Sequence, residues 1–216
     1  MVYLVGCDHQ TAQTYPAATS LLLPENATQL QFGLFLIDQI KKYAITTVGE
    51  ESNTDILKRS GRNSVVCEAA HGRATHVYCD PTPQERDELD IGEDLPFFAP
   101  GPTAWETLIK SVDQSNLHDI AHRWPIREGF WLDQLAEHSQ EQVLFVCGDA
   151  HRWTFRHRLE ERGIEVKVIA KRFGAAPLSR RFFDAYKSVR RNGFLPKAGC
   201  FCVSPINEIK GTEQEE

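Results

Sequence analysis

Five short apolar runs frame this chain: VYLVG at 2–6, AITTV at 44–48, THVYC at 75–79, VLFVC at 143–147 and IEVKVIA at 164–170. They are too short for helices and rich in β-branched or aromatic residues, the signature of strands buried in a parallel sheet. The intervening segments carry helical spacing instead. Leu30, Leu34, Ile37 and Tyr43 form a stripe of period 3.6, with Thr28 placed to cap it. Residues 53–60 and 64–71 read as short helices, the second stopped by Gly72. Further helices are expected over 103–119, 125–138 (Pro125 in its first turn), 151–162 and 179–191, with a last short strand at 200–203.

Strands alternating with helices predict parallel pairing through right-handed crossovers, and so a three-layer α/β/α sandwich. One domain over 1–210 is expected, followed by a disordered acidic tail at 211–216 that has nothing apolar to bury. The proline-rich, acidic stretch 81–102 reads as a long irregular loop.

In open parallel sheets, ligands bind beyond the carboxyl ends of the strands. Here those ends are crowded with groups that move protons or hold metals. The first and fourth strands both finish in Gly-x-x-His, as Gly6-Cys7-Asp8-His9 and Gly148-Asp149-Ala150-His151. The second delivers Glu50 and Glu51, the third Asp80. Each also has a structural reading: Asp8 and Asp149 suit helix caps, Asp80-Pro81 suits a turn, and Glu50 and Glu51 suit the start of a helix.

Convergence of four strand ends favours a site. His9 and His151 with Glu50, Asp8 or Asp149 would make a ligand set for a divalent metal, without selecting Mn, Co or Zn. Two cations are placed to join it. Arg127 stands in the first turn of its helix, against the dipole, and so is expected to pair with a strand-end carboxylate or clamp an anion. Arg86 follows the third strand. The 81–102 stretch is expected to fold over the cleft, with Phe97 or Phe98 closing it and Arg86 and Asp80 contacting substrate.

Composition narrows the class. The chain has 216 residues, 41% hydrophobic and 25% charged, and a net charge of −6. No run is long enough to span a membrane, and no basic segment opens a secretory signal. Six cysteines without a CxxC pair fit a reducing cytoplasm. There is no GxGxxG, GxxxxGK[ST] or GxSxG motif. Residues 151–199 hold thirteen Lys or Arg against four Asp or Glu. That surface suggests an alternative, a binding module for an anionic partner such as nucleic acid, although a sequence pI near 5.8 argues against it.

The two Gly-x-x-His endings, the acid after the second strand, the Arg127-x-x-x-Trp131 helix and VLFVCGDAHRWTFRHRLEERGIEV resemble the TIKI/TraB group. That group stands with the ChaN-like and erythromycin-esterase-like proteins. The resemblance spans roughly 1–170 and implies an α/β fold whose active site holds two histidines and acidic residues. It maps the histidines to His9 and His151, the acid to Glu50 or Glu51, and the helix arginine to Arg127. Some members are metal-dependent peptidases and some are lactone-opening esterases. Arg127-Glu128 stands where members often have Arg-Asn. The resulting expectation is a hydrolase, metal-assisted in the manner of those peptidases, acting on an ester or peptide-like bond of a small molecule or peptide.

Overall fold

The computed structural model describes residues 1–91 and 123–174. Five strands form one parallel sheet: β1 (Val2–Cys7), β3 (Thr47–Glu50), β5 (Thr75–Tyr78), β6 (Val143–Gly148) and β7 (Val166–Phe173), in the order β5-β3-β6-β1-β7. Every neighbouring pair is parallel.

Side chains alternate between two cores because the strand period is two. Tyr3, Val5, Cys7, Leu144 and Val146 pack with Phe32, Leu36 and Ile40 of α1 (Ala27–Lys42) and with Val66, Ala69 and Ala70 of α3 (Val65–Ala70). Val2, Leu4, Val143, Phe145 and Cys147 face the other way. They meet Trp131, Leu132 and Leu135 of α5 (Trp124–Ala136) and Phe155 and Leu159 of α6 (Arg152–Glu161). The α/β/α sandwich with a mainly parallel sheet is therefore the fold. Among the described residues, no helix is long and apolar enough to cross a membrane.

Four local features depart from the sequence pattern. The second strand begins at Thr47 rather than Ala44. The end of α1 uses up the first residues of that apolar run: Ala44 turns to φ 49°, and the Ile45 N–H bonds to Ile40 O at 3.0 Å. Thr28 lies inside α1, whose cap position is Asn26. The stretch 81–102 opens as a helix, α4 (Pro83–Glu88), closed by a reciprocal capping box. In it Glu85 N–H donates to Thr82 Oγ1 at 3.3 Å, and Thr82 N–H donates to Glu85 Oε2 at 2.7 Å. Finally, β2 (Thr14–Pro16) and β4 (Arg62–Ser64) form an antiparallel ribbon, with α2 (Thr54–Ser60) leading into β4. The expected helices at 103–119 and 179–191, the strand at 200–203, Phe97, Phe98 and the tail 211–216 lie outside the described residues.

Candidate active site

The repeated Gly-x-x-His ending has a packing cause. Strands β1 and β6 are neighbours in register, with Gly6 beside Cys147 and Cys7 beside Gly148. A Cβ on Gly148 would lie 2.5 Å from His9 Nε2, and a Cβ on Gly6 would run into the Asp149 carboxylate. Each motif's glycine thus makes room for a polar side chain of the other motif. Asp8 then caps a single helical turn over His9–Gln13, its Oδ1 accepting from Gln10 N–H at 3.0 Å and Thr11 N–H at 2.9 Å. Gln13 N–H reaches back five residues to Asp8 O at 3.2 Å, a wide turn of the kind that recurs at functional sites. This turn carries His9 over Gly148.

Glu51 is the centre of the cluster. It follows β3 by one residue, and its N–H bonds to Val146 O at 2.8 Å. Its side chain is buried and meets four groups. Gly148 N–H donates to Oε2 at 2.6 Å, and Arg127 Nη2 stands 2.9 Å from Oε1. His9 Nε2 lies 3.4 Å from Oε2, and His151 Nε2 lies 3.7 Å from Oε1. Burial alone would raise the Glu51 pKa, but His151, His9 and Arg127 outweigh it and hold the carboxyl well below its usual range. Burial likewise opposes protonation of His9, yet Glu51 prevails and lifts its pKa to about 9. The His9 side chain is 45% exposed, so solvent screens part of that attraction.

Arg127 bridges two strand ends. Its Nε lies 2.5 Å from Asp80 Oδ1, while its Nη2 faces Glu51. It also lies 5.2 Å from the Trp131 ring centre, and Trp131 Nε1–H donates to the same Asp80 oxygen at 3.0 Å. Arg86 closes the other side of Asp80, with Nη2 2.6 Å from Oδ2. Both arginines are buried. Arg86 and Asp80, expected as substrate contacts, are committed to one another, and the pair holds α4 and α5 against the end of β5.

His151 is oriented by a residue outside the expected site set. Glu128, fully buried, places Oε1 2.9 Å from His151 Nδ1. It also accepts from the Thr154 hydroxyl and, at 2.8 Å, from Arg158 Nε. Trp124 packs at a tilt against the imidazole, ring centres 3.9 Å apart, and Trp131 meets it edge-on at 5.0 Å. This leaves His151 Nε2 aimed at Glu51. The signal for Glu128 was in the sequence as helical adjacency to Arg127, but nothing local tied it to a histidine 23 residues away.

Three expected site residues sit elsewhere. Glu50 is the last residue of β3, so its side chain takes the α1/α3 face, opposite to Glu51. There it accepts from Ser64 Oγ at 2.7 and 2.9 Å and from Gln13 Nε2 at 2.9 Å, and it lies 2.8 Å from His76 Nε2. Asp8 is taken up by its cap. Asp149 accepts from Arg152 Nε at 2.9 Å and Arg172 N–H at 3.0 Å.

These commitments bear on the metal. Among the described residues no three His, Cys, Asp or Glu side chains are grouped to hold an ion. Two imidazole Nε2 atoms do converge, but the carboxylate between them is already held by Arg127 and the Gly148 N–H. As arranged, this donor set does not fit a divalent ion. What the cluster can do is hold and exchange a proton at His9, the group that meets solvent, over a carboxylate locked by a cation and a second imidazole.

No family model, no curated protein and no solved structure matches this chain.

Proposed function

We propose that the protein is a hydrolase of ester or peptide-like bonds, with His9 as its proton-transfer group. The observation that carries this is the convergence of His9 Nε2, His151 Nε2, Arg127 and the Gly148 N–H on the Glu51 carboxylate at the carboxyl edge of the sheet. Only His9 among the three side chains Glu51, His9 and His151 is substantially exposed. In the step this supports, His9 Nε2 takes a proton from water as the water oxygen attacks the carbonyl carbon. The imidazolium is stabilised by Glu51 and returns the proton to the departing oxygen or nitrogen as that bond breaks. Arg127 fixes Glu51, and Glu128 fixes His151.

The resemblance to the TIKI/TraB and erythromycin-esterase-like proteins supports the same reading, through His9, His151, Glu51 as its acid and Arg127. The substrate class is a small molecule or peptide. Four described cysteines are free, three of them buried, which supports a reducing cytoplasmic setting. Part of the described basic segment is already neutralised, which weighs against the alternative of an anion-binding surface. There Arg152, Arg156 and Arg158 are paired with Asp149, Glu160 and Glu128.

The test is turnover of nitrophenyl esters, a lactone and a chromogenic peptide by the full chain, each with chelator and with added Mn, Co or Zn. Turnover lost in His9→Asn and kept in Arg156→Gln is expected. Background rates on every substrate, with and without metal, would overturn the proposal. A rate that appears only with added metal would instead make the metal the water-activating group.

A further inference from the structure

Gln13 lies between His9 and the displaced carboxylate Glu50, and its amide can point only one way. At its nitrogen end stand two acceptors, Glu50 Oε2 at 2.9 Å and the main-chain Glu51 O at 3.3 Å. At its oxygen end stand His9 Nδ1 at 2.6 Å and the Cys7 thiol at 3.6 Å, the latter a donor. A flipped amide would take the acceptor away from the thiol and set its carbonyl oxygen against two acceptors. The side chain is fully buried, so no water relieves that mismatch. The orientation is thereby determined by its neighbours rather than by choice of atom labels.

We infer that Gln13, held by Glu50, is a positioning residue that confines neutral His9 to the Nδ1–H tautomer and leaves Nε2 as its proton-accepting atom. Gln13 Oε1 can only accept, so His9 Nδ1 must donate to it in every protonation state. The lone pair of neutral His9 then resides on Nε2, the nitrogen over Gly148 that faces Glu51. Ser64 and His76 complete the support by engaging Glu50 from its other sides. Glu50 therefore reaches the site through two hydrogen bonds instead of lining it, just as Glu128 reaches it through His151.

This deepens the hydrolase reading, whose histidine it orients, but its readout does not require turnover. The full chain is labelled with 15N-histidine, and two-bond proton–nitrogen correlations are recorded at a pH above the His9 titration, with His9→Asn identifying the signal. Native protein is expected to show His9 as the Nδ1–H form alone, and Gln13→Leu to shift it to a mixture including Nε2–H. Glu50→Gln, which lets both amides turn over, is expected to give a mixture as well and serves if Gln13→Leu fails to fold. An Nε2–H form in the native protein, or a single Nδ1–H form in Glu50→Gln, would overturn the inference. Hydrolysis absent while the tautomer responds as described would defeat the functional reading alone.

Discussion

Gly148 and His9 compete for one volume: a Cβ at position 148 would stand 2.5 Å from His9 Nε2 and 3.3 Å from Glu51 Oε2. The glycine is thus set by the close approach of two site residues rather than by any unusual backbone angle. Gly148→Ala is expected to displace His9 and lower hydrolysis at least tenfold with only a modest loss of stability. Gly129→Ala, on a helix where a new Cβ meets nothing within 4 Å, should stabilise the fold by about 0.5–1 kcal/mol. Thermal melts and rates on the two variants test the contrast, and equal behaviour would mean that His9 moves aside freely.

Removing Arg127 takes away the cation shared by two buried carboxylates, leaving Asp80 to Arg86 and Trp131 and Glu51 to the Gly148 N–H and the two histidines. Arg127→Ala should cost about 3–5 kcal/mol, the range for breaking a buried charge pair. Arg156→Ala breaks an exposed pair with Glu160 and should cost about 0–1 kcal/mol. Urea denaturation of both variants measures the difference, and a small effect at Arg127 would remove it as the tie between β3, β5 and α5.

The His9–Glu51 pair makes stability depend on pH in a defined window. His9 has its pKa raised from 6.5 to about 9, so its contribution is complete below 6.5 and fades as pH climbs through about 9. Glu51 has its pKa lowered from 4.5, so its contribution is present above that value and is lost only in acid. Between about 4.5 and 6.5 both are fully engaged. The melting-temperature gap between native protein and His9→Asn should be widest there and should close above about 9. The partial exposure of His9 makes the gap smaller than a fully buried pair would give.

The same shift sets the direction of the rate profile. His9 acts as a base only once it has lost its proton, so the hydrolytic rate should rise on the alkaline side toward about 9. Glu51→Gln removes the attraction that holds the proton and should move that rise to lower pH. A profile that does not shift between the two proteins would remove His9 as the titrating group.

Glu128→Gln tests the support of His151. The amide can keep its oxygen toward His151 and Thr154, but its NH2 then faces the Arg158 donor. A cost of about 1–3 kcal/mol is expected for that mismatch, together with a lower rate. Arg158→Met in the same chain should recover part of the stability without recovering the rate. Denaturation and kinetics on the single and double variants form a closed cycle.

Much of the fold is local and so was readable in the sequence. Apolar runs such as VYLVG and VLFVC are buried on both faces by any parallel sheet, and α1 was legible as a helix, although its buried face is Phe32, Leu36 and Ile40 while Leu34 of the expected stripe is exposed. The cap at Asn53, whose Oδ1 accepts from Ile56 N–H at 2.8 Å, and the Thr82/Glu85 capping box depend on three-residue spacings alone. The box lies within a stretch whose prolines and acids otherwise indicate an irregular loop. Convergence of His9, His151 and the acid of β3 followed from parallel topology, since parallel strands end on one edge.

Which acid enters the site was decided by tertiary structure. Side chains alternate at every residue of a strand, so closing α1 with a turn at Ala44–Ile45 and running β3 from Thr47 to Glu50 sends Glu50 to one face and leaves Glu51 just past the end. Sequence identity is the same for both neighbours, and only register separates them. Glu128 and Gln13 were decided in the same way. Each acts across a gap that the chain closes only by folding, Glu128 through 23 residues to His151 and Gln13 through 37 to Glu50. Sequence determined the strands, the helices and the edge where chemistry gathers, because those rest on local period and topology. Only the folded packing decided which side chains face that edge and which stand behind them, because hydrogen-bond partners in a dry interior are chosen by position, not by distance along the chain.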